Sequence, residues 1–252
     1  MARPRDKGPQ EVKTLDRGLY LLEVLGELGE AGLTPLAKRT GFSKSTLYRL
    51  LQTLARHGFV EEEGGLYRVG PKAFTVGQAY PRQNLLLAVR PEMEALAAQT
   101  GESVNLAVLA GQEALYLDQA EGNKLVRLFT APGSRAPLHA TGVGKVLLAF
   151  RGVPEGLALT PYTPYTLTRL EDLRRELEAV RREGYALDNE EKELGVRCVA
   201  APIFGPSGEV VAALSLSAPA SRLSLEEAHR LAPQVMEAAR KASLRLGFVP
   251  RL

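Results

Sequence analysis

The stretch TPLAKRTGFSKSTLYRLLQTLARHGF, residues 34–59, decides how this chain is read. Thr34 is a good N-cap and Pro35 suits a first helical position, so a short helix is expected over Pro35–Thr40 with Leu36 and Ala37 facing inward. Gly41 supplies a tight turn. Ser43 then caps a longer helix from Lys44 to about His57, whose Leu47, Leu50, Leu51 and Leu54 make one apolar stripe. Its other face carries Lys44, Ser45, Thr46, Tyr48, Arg49 and Gln52, groups that donate to phosphates and base edges when a helix lies in the major groove. From Thr34 to Val60 there are five basic residues (Lys38, Arg39, Lys44, Arg49, Arg56) and no acidic one, as expected of a surface that faces phosphates.

Toward the N-terminus, Leu15, Leu19, Leu22, Leu25 and Leu28 recur at helical spacing and predict a helix over Thr14–Leu28, ended by Gly29 and Gly32. Toward the C-terminus, Phe59–Glu62 and Leu66–Val69 read as two short strands joined at Gly64-Gly65. A helix-turn-helix followed by such a hairpin is a winged helix. Glu61, Glu62 and Glu63 argue against a strongly phosphate-binding wing, which places the weight on the helix after Ser43 and on an N-terminal arm with Arg3, Arg5 and Lys7. Two plainer readings stay open: a three-helix unit that contacts protein, and an arm that is only a solvated tail.

With 252 residues, 45% of them apolar, the chain has room for two ordinary domains. Residues 1–83 hold 13 Lys/Arg against 9 Asp/Glu, a net of +4, and residues 84–252 hold 19 against 20, a net of −1. The positive charge therefore sits with the helix-turn-helix. No run of about 18 apolar residues is present, and the start lacks the apolar stretch of a signal peptide. A soluble cytoplasmic protein without membrane attachment is expected. The single cysteine, Cys198, excludes an internal disulfide and leaves too few thiols for a cysteine-rich zinc site, so neither metal nor cofactor is expected.

Residues 84–252 read as an α/β domain with mostly antiparallel strands. Val104–Leu109, Ala114–Asp118 and Leu125–Phe129 are short strands suited to a meander, and a helix fits Thr141–Phe150. Another helix fits Leu170–Glu183, with Thr168 and Glu171 as a capping box, Gly184 as its stop, and Leu170, Leu173, Leu177 and Val180 as its stripe. Strands over Arg197–Ile203 and Val210–Ser217 flank the turn Gly205–Gly208, and a last helix starts at Ser224 with Glu227 completing its box. Enzyme chemistry finds little support. HATGVGKV, residues 139–146, lacks the P-loop pattern because His139 and Val146 stand where Gly and Ser/Thr are needed. No G-x-S-x-G elbow surrounds a serine, and His139 is the one histidine of that region.

The front segment TLDRGLYLLEVLGELGEAGLTPLAKRTGFSKSTLYRLLQTLARHGFVEEEGGLYRVGPKAFTVG, residues 14–77, resembles the IclR family of bacterial transcription regulators, and the likeness continues to the C-terminus. It implies an α+β chain: an N-terminal winged helix-turn-helix domain over 1–71, a linker helix over 72–83 (about Lys72–Arg82, with Pro81 a plausible break), and an effector-binding and oligomerisation domain over 84–252. That last domain would have a GAF-like or profilin-like fold with a mostly antiparallel sheet. The candidate DNA contacts are Lys38, Ser43, Lys44, Ser45, Thr46, Tyr48, Arg49 and Arg68.

The segments 133–145, 187–198 and 213–219 match the family's effector-pocket segments. By that resemblance Ala136, Leu138, Gly142, Val143, Asp188, Cys198, Ser215 and Ser217 line or adjoin a pocket for a small molecule, with a carboxylic acid the expected class. A helix starting near Gly142 would aim N–H groups at a carboxylate, and two serines on alternate strand positions share a face. Ala136 stands where the family often has a bulkier leucine, which implies a roomier or reshaped pocket. Each residue also has a structural reading: Gly142 for close packing, Cys198 as a small buried group, the serines as strand partners, Asp188 as the cap of a turn with Asn189. The function implied is a ligand-responsive, sequence-specific regulator that binds double-stranded operator DNA as a homodimer or homotetramer, with Leu85–Val89 compatible with partner burial. The alternative is a small-molecule sensor or scaffold whose winged helix makes protein contacts.

Overall fold

The computed structural model describes residues 12–78 and 83–249, in two compact units, Met1–Gln83 and Asn84–Leu252. Arg3, Arg5 and Lys7 of the candidate arm, and the candidate break at Pro81, lie outside the described residues. The first unit runs α1 (Lys13–Leu28), β1 (Glu30–Gly32), α2 (Leu33–Thr40), α3 (Lys44–Arg56), β2 (Val60–Glu63), β3 (Leu66–Val69) and α4 (Pro71–Gln78). Its three strands form an antiparallel sheet in the order β1-β3-β2. Gly64 and Gly65 both take positive φ, 59° and 81°, between the paired Glu63 and Leu66, which is the two-residue turn that matches strand twist and that glycine adopts without strain. Leu21, Val24, Leu25, Leu36, Leu47, Leu51, Val60 and Tyr67 close one small core.

Two expectations about these helices are corrected. The buried face of α1 is Leu21, Val24 and Leu25, while Leu15 and Leu19 are 61% and 53% exposed and Leu28 is also exposed. The helix carries two apolar stripes, and α2 and α3 cover only one of them. Helix α2 starts at Leu33, with Gly32 and not Thr34 at its cap and no side-chain cap bond. Pairing of Glu30–Gly32 with Leu66–Arg68 keeps the chain extended up to Gly32, so the helix begins at the next residue.

The second unit runs α5 (Gln83–Thr100), β4 (Ser103–Ala110), β5 (Glu113–Ala120), β6 (Arg135–Pro137), α6 (Gly142–Arg151), α7 (Leu170–Glu183), β7 (Ala186–Asn189), β8 (Val196–Phe204), β9 (Val210–Pro219) and α8 (Leu225–Arg245). The six strands form one antiparallel sheet in the order β6-β5-β4-β9-β8-β7. The two-residue strand period sorts its side chains. Val104, Leu106, Val199, Ile203, Leu214 and Leu216 pack with α5 and α8, whereas Ala107, Ala200 and Ala213 pack with α6 and α7. The chain is thus α+β, a winged helix-turn-helix unit followed by an antiparallel sheet covered by helices.

Three further expectations change here. Leu125–Phe129 is not a strand: side chains take its backbone bonds, with Leu128 C=O accepting from Ser103 Oγ (2.7 Å) and Gln119 Nε2 (3.3 Å), and Thr130 N–H donating to Gln119 Oε1 (3.2 Å). The third strand of the meander is Arg135–Pro137 instead. The cap of α7 is Arg169 without a side-chain bond, so the Thr168 capping box does not form. Within Leu85–Val89, Leu85 and Val89 are buried in their own unit's core, which leaves Leu87, 71% exposed, as the apolar side chain open to a partner.

Candidate DNA-recognition face and ligand site

Ser43 Oγ accepts the Thr46 N–H at 3.2 Å and lies 3.0 and 2.9 Å from the Ser45 and Thr46 hydroxyls, so three hydroxyls gather at the start of α3. Burial of Leu47 and Leu51 turns the other side of α3 outward. Lys44, Ser45, Tyr48, Arg49 and Gln52 are exposed on it and Thr46 is half-exposed. Its basic groups meet hydroxyls and N–H donors of the helix start, the combination that receives phosphate. Lys38 is exposed near the end of α2, while Arg39 is paired to Glu27 at 2.8 Å. In the wing, Arg68 is held by Glu61 and Glu63, both at 3.1 Å. The acidic strand β2 thus occupies the wing's own cation.

The second unit brings Asp188, Cys198, Ser217 and Ser103 into one row of directly paired residues across β7, β8, β9 and β4. A second row is Ala186, Ala200, Ser215, Asn105 and Gln119. Paired residues share a sheet face, and here it is the face under α6. Gly142 sits over it so closely that a Cβ would lie 3.2 Å from Ala200 Cβ. Thr141 caps α6, its Oγ1 accepting the Gly144 N–H at 3.2 Å, and Lys145 N–H goes to Thr141 C=O. The Gly142 and Val143 N–H groups are the helix-start donors these bonds do not use.

Asp188 is 2% exposed. Its Oδ1 accepts the Glu191 and Lys192 N–H groups at 2.9 and 3.4 Å, so it caps a turn that runs past Asn189. Burial pushes its carboxyl up to about 7, opposed by those two bonds. Burial also pushes the Cys198 thiol up, with Asp188 adding to the effect and a bond to Ser217 opposing it. Cys198 is therefore a neutral group and not an activated nucleophile. The Tyr116 phenol is raised by burial and by the proximity of Cys198 and Asp188. Beside them Lys145, 1% exposed, bonds Glu191 at 2.6 Å and Glu176 at 2.9 Å. Burial alone would lower the lysine, but the two carboxylates more than reverse this.

Sequence reasoning missed Ser103, Asn105, Gln119 and Tyr116. Asn105 Nδ2 donates to Ser217 Oγ (3.1 Å) and its Oδ1 accepts from Gln119 Nε2 (2.8 Å). The signal was available in the alternation of Ser103, Asn105 and Ala107 along β4. Ala136 and Leu138 lie instead along a separate cleft of about 380 Å³ with Arg135, His139, Tyr162 and Lys192. Val143 is a core residue of the α6 face. Among the described residues no group of three His, Cys, Asp or Glu side chains suits a metal ion, and no helix is long and apolar enough to cross a membrane.

A winged helix with an outward basic recognition face, followed in one chain by a second unit built on a helix-covered sheet, is the arrangement of a DNA-binding regulator. Residues 14–64 match the IclR helix-turn-helix domain and residues 77–244 the bacterial transcriptional regulator IclR C-terminal domain. The chain is 37% identical over 249 residues to the transcriptional repressor IclR of Escherichia coli, spanning 94% of this chain and 91% of that one. The crystal structure of Thermotoga maritima IclR shares 31% identity and a TM-score of 0.77 over 94% of this chain and 100% of that one. An IclR homologue of Microbacterium hydrocarbonoxydans, solved with 4-hydroxybenzoate, shares 27% identity and a TM-score of 0.78 over 92% and 98%. The chain belongs to the IclR family. It is a DNA-binding transcription regulator of the helix-turn-helix type and not an enzyme.

Proposed function

We propose that this regulator reads operator DNA sequence-specifically with α3 and alters that binding when a small organic acid occupies the sheet face of Asp188, Cys198, Ser215 and Ser217. The observation that carries the first half is the exposed α3 face, with Lys44 and Arg49 beside three clustered hydroxyls. Lys38, Ser43, Ser45, Thr46 and Tyr48 complete the contact set. Arg68 would join it only by leaving Glu61 and Glu63. For the second half, free N–H groups at the start of α6 above two serines suit a carboxylate, Val143 supplies apolar wall while Ala136 and Leu138 stay with the separate cleft, and the relative solved with 4-hydroxybenzoate holds an acid.

The domain division is 1–71 for DNA, 72–83 for a linker, whose residues 72–78 lie in α4 and whose residues 79–82 are outside the described ones, and 84–252 for ligand and assembly. The outward stripe of α1, with Leu15 and Leu19 exposed and Val12 exposed just ahead of the helix, supports a homodimer whose two α3 helices read half-sites one helical turn, about 34 Å, or a multiple of it apart. Pairing through the second unit would give a tetramer. Ligand acts by shifting the population of placements of the two winged helices.

The test is binding of the purified protein to the DNA upstream of its own gene, across a salt series, with and without a panel of small carboxylic acids. Specific binding that falls steeply with salt, weakens with Arg49→Ala by about 1–3 kcal/mol, and changes with one acid is expected. Unchanged affinity and sequence preference in Arg49→Ala would remove α3 as the reader. No preference over random DNA would favour a scaffold.

A further inference from the structure

A second cavity, of about 580 Å³, opens at the C-terminal end of α6 and shares no residue with the sheet face of Asp188, Cys198, Ser215 and Ser217. Its walls include Phe150, Phe204, Phe248, Met236 and Pro202, with Arg181 at the mouth. The Phe204 and Phe248 rings stack at 5.0 Å, and Phe150 meets Phe204 edge-on at 5.8 Å. The cavity exists because β7 pairs with β8 only as far as Ala186 and Ala200. Residues 201–204 are therefore a sheet edge. Pro202 has no N–H to offer there, and Phe204 N–H is taken by Ser243 Oγ at 2.9 Å, so the edge is closed to another strand and lined by rings.

The charges at the mouth are unequal. Arg240 is held by Glu237 through two bonds of 2.7 and 2.8 Å. Arg181 donates its Nε to the Ala149 carbonyl, and among the described residues no carboxylate lies within ion-pair distance of it. Its terminal nitrogens are left as a fork suited to a carboxylate. We propose that this cavity is a second ligand site, for an amphipathic carboxylic acid whose ring or chain lies among the three phenylalanines and whose carboxylate is held by Arg181. The volume falls within the usual range of small-molecule sites, about 300–1,000 Å³, and a mostly apolar wall with one oriented polar group is their usual chemistry. The site lies at the opposite end of α6 from Gly142, about 15 Å along a ten-residue helix.

Calorimetric titration of the intact protein with 2-naphthoate and with its uncharged analogue 2-naphthamide tests this. Arg181 is exposed, so Arg181→Ala leaves the core untouched. It is expected to weaken naphthoate roughly tenfold, the scale of a lost charged hydrogen bond, with naphthamide unchanged. Met236→Trp, which fills the cavity from α8, removes both ligands, and Ser217→Ala in the sheet-face site removes neither. The proposal is overturned if wild-type protein binds no naphthoate, if Arg181→Ala binds it as well as wild type, or if Ser217→Ala abolishes the binding. The titrations contain no DNA, so such a failure leaves the operator reading to its own experiment.

Discussion

Replacing Asp188 by asparagine should change the pH dependence of stability by a calculable amount. In the folded chain burial holds this carboxyl at about 7, whereas an unfolded aspartate titrates near 3.9. Between those values the folded chain binds a proton that the unfolded chain has lost. Stability must then fall as pH rises through that window. About three pH units at about 1.4 kcal/mol each give about 4 kcal/mol, lost progressively from about pH 4 and complete above pH 7. Asparagine keeps an Oδ1 to accept the Glu191 and Lys192 N–H groups but carries no charge. Lys145, Glu191, Cys198 and Tyr116 stay in place in both proteins. The assay is urea unfolding followed by far-ultraviolet circular dichroism, at half-unit steps from pH 4.5 to 8, with the two proteins compared at each step. Contributions from the winged-helix unit cancel in the difference. The variant should gain on the wild type as pH rises, approaching about 4 kcal/mol by pH 8. A difference that does not vary with pH would refute the burial argument.

Two other substitutions probe the α6 face. A Cβ at Gly144 would come within 2.5 Å of Leu138 Cα, which is backbone and cannot swing aside, so Gly144→Ala should cost at least about 3 kcal/mol in thermal or urea unfolding. A near-neutral result would mean α6 can slide on β6. Lys145→Met leaves the buried Glu191 without its 2.6 Å partner and should cost about 3–5 kcal/mol, with part of that recovered in Lys145→Met/Glu191→Gln. No recovery in the double variant would show that packing of the lysine stem, and not the ion pair, is what matters.

Much of the DNA-reading unit was legible because it is built locally. Ser43 caps α3 as its hydroxyl requires, Gly41 takes the left-handed conformation at the end of α2, and the paired glycines make the wing turn. Periodicity also found α6, α7, α8, β4, β5, β8 and β9 to within a few residues. It failed where two local answers compete. The leucines of α1 form two stripes, and which is buried depends on where α2 and α3 pack. Leu125–Phe129 has strand composition, but Gln119 and Ser103, distant in sequence, claim its backbone bonds.

The candidate ligand site divides in the same way. Asp188, Cys198, Ser215 and Ser217 were singled out from the sequence, by resemblance together with the alternation of β9. Their lateral alignment is a matter of register between strands up to about thirty residues apart in sequence. That register comes from burial of the Val, Leu and Ile face against α5 and α8. Alternation along β4 puts Ser103 and Asn105 on one face, but only the tertiary structure set them and Gln119 beside Ser215 and Ser217, since their partners lie across the sheet. It also decided that Asp188 is buried among other acids, and that β7 stops short of Pro202 and leaves a cavity. Helix caps, tight turns and the charge of one helix face are fixed by neighbours a few residues away, so the sequence alone determined them. Which stripe is buried, which side chains meet across strands and where a sheet edge stays open depend on distant contacts, so only the folded chain decided them.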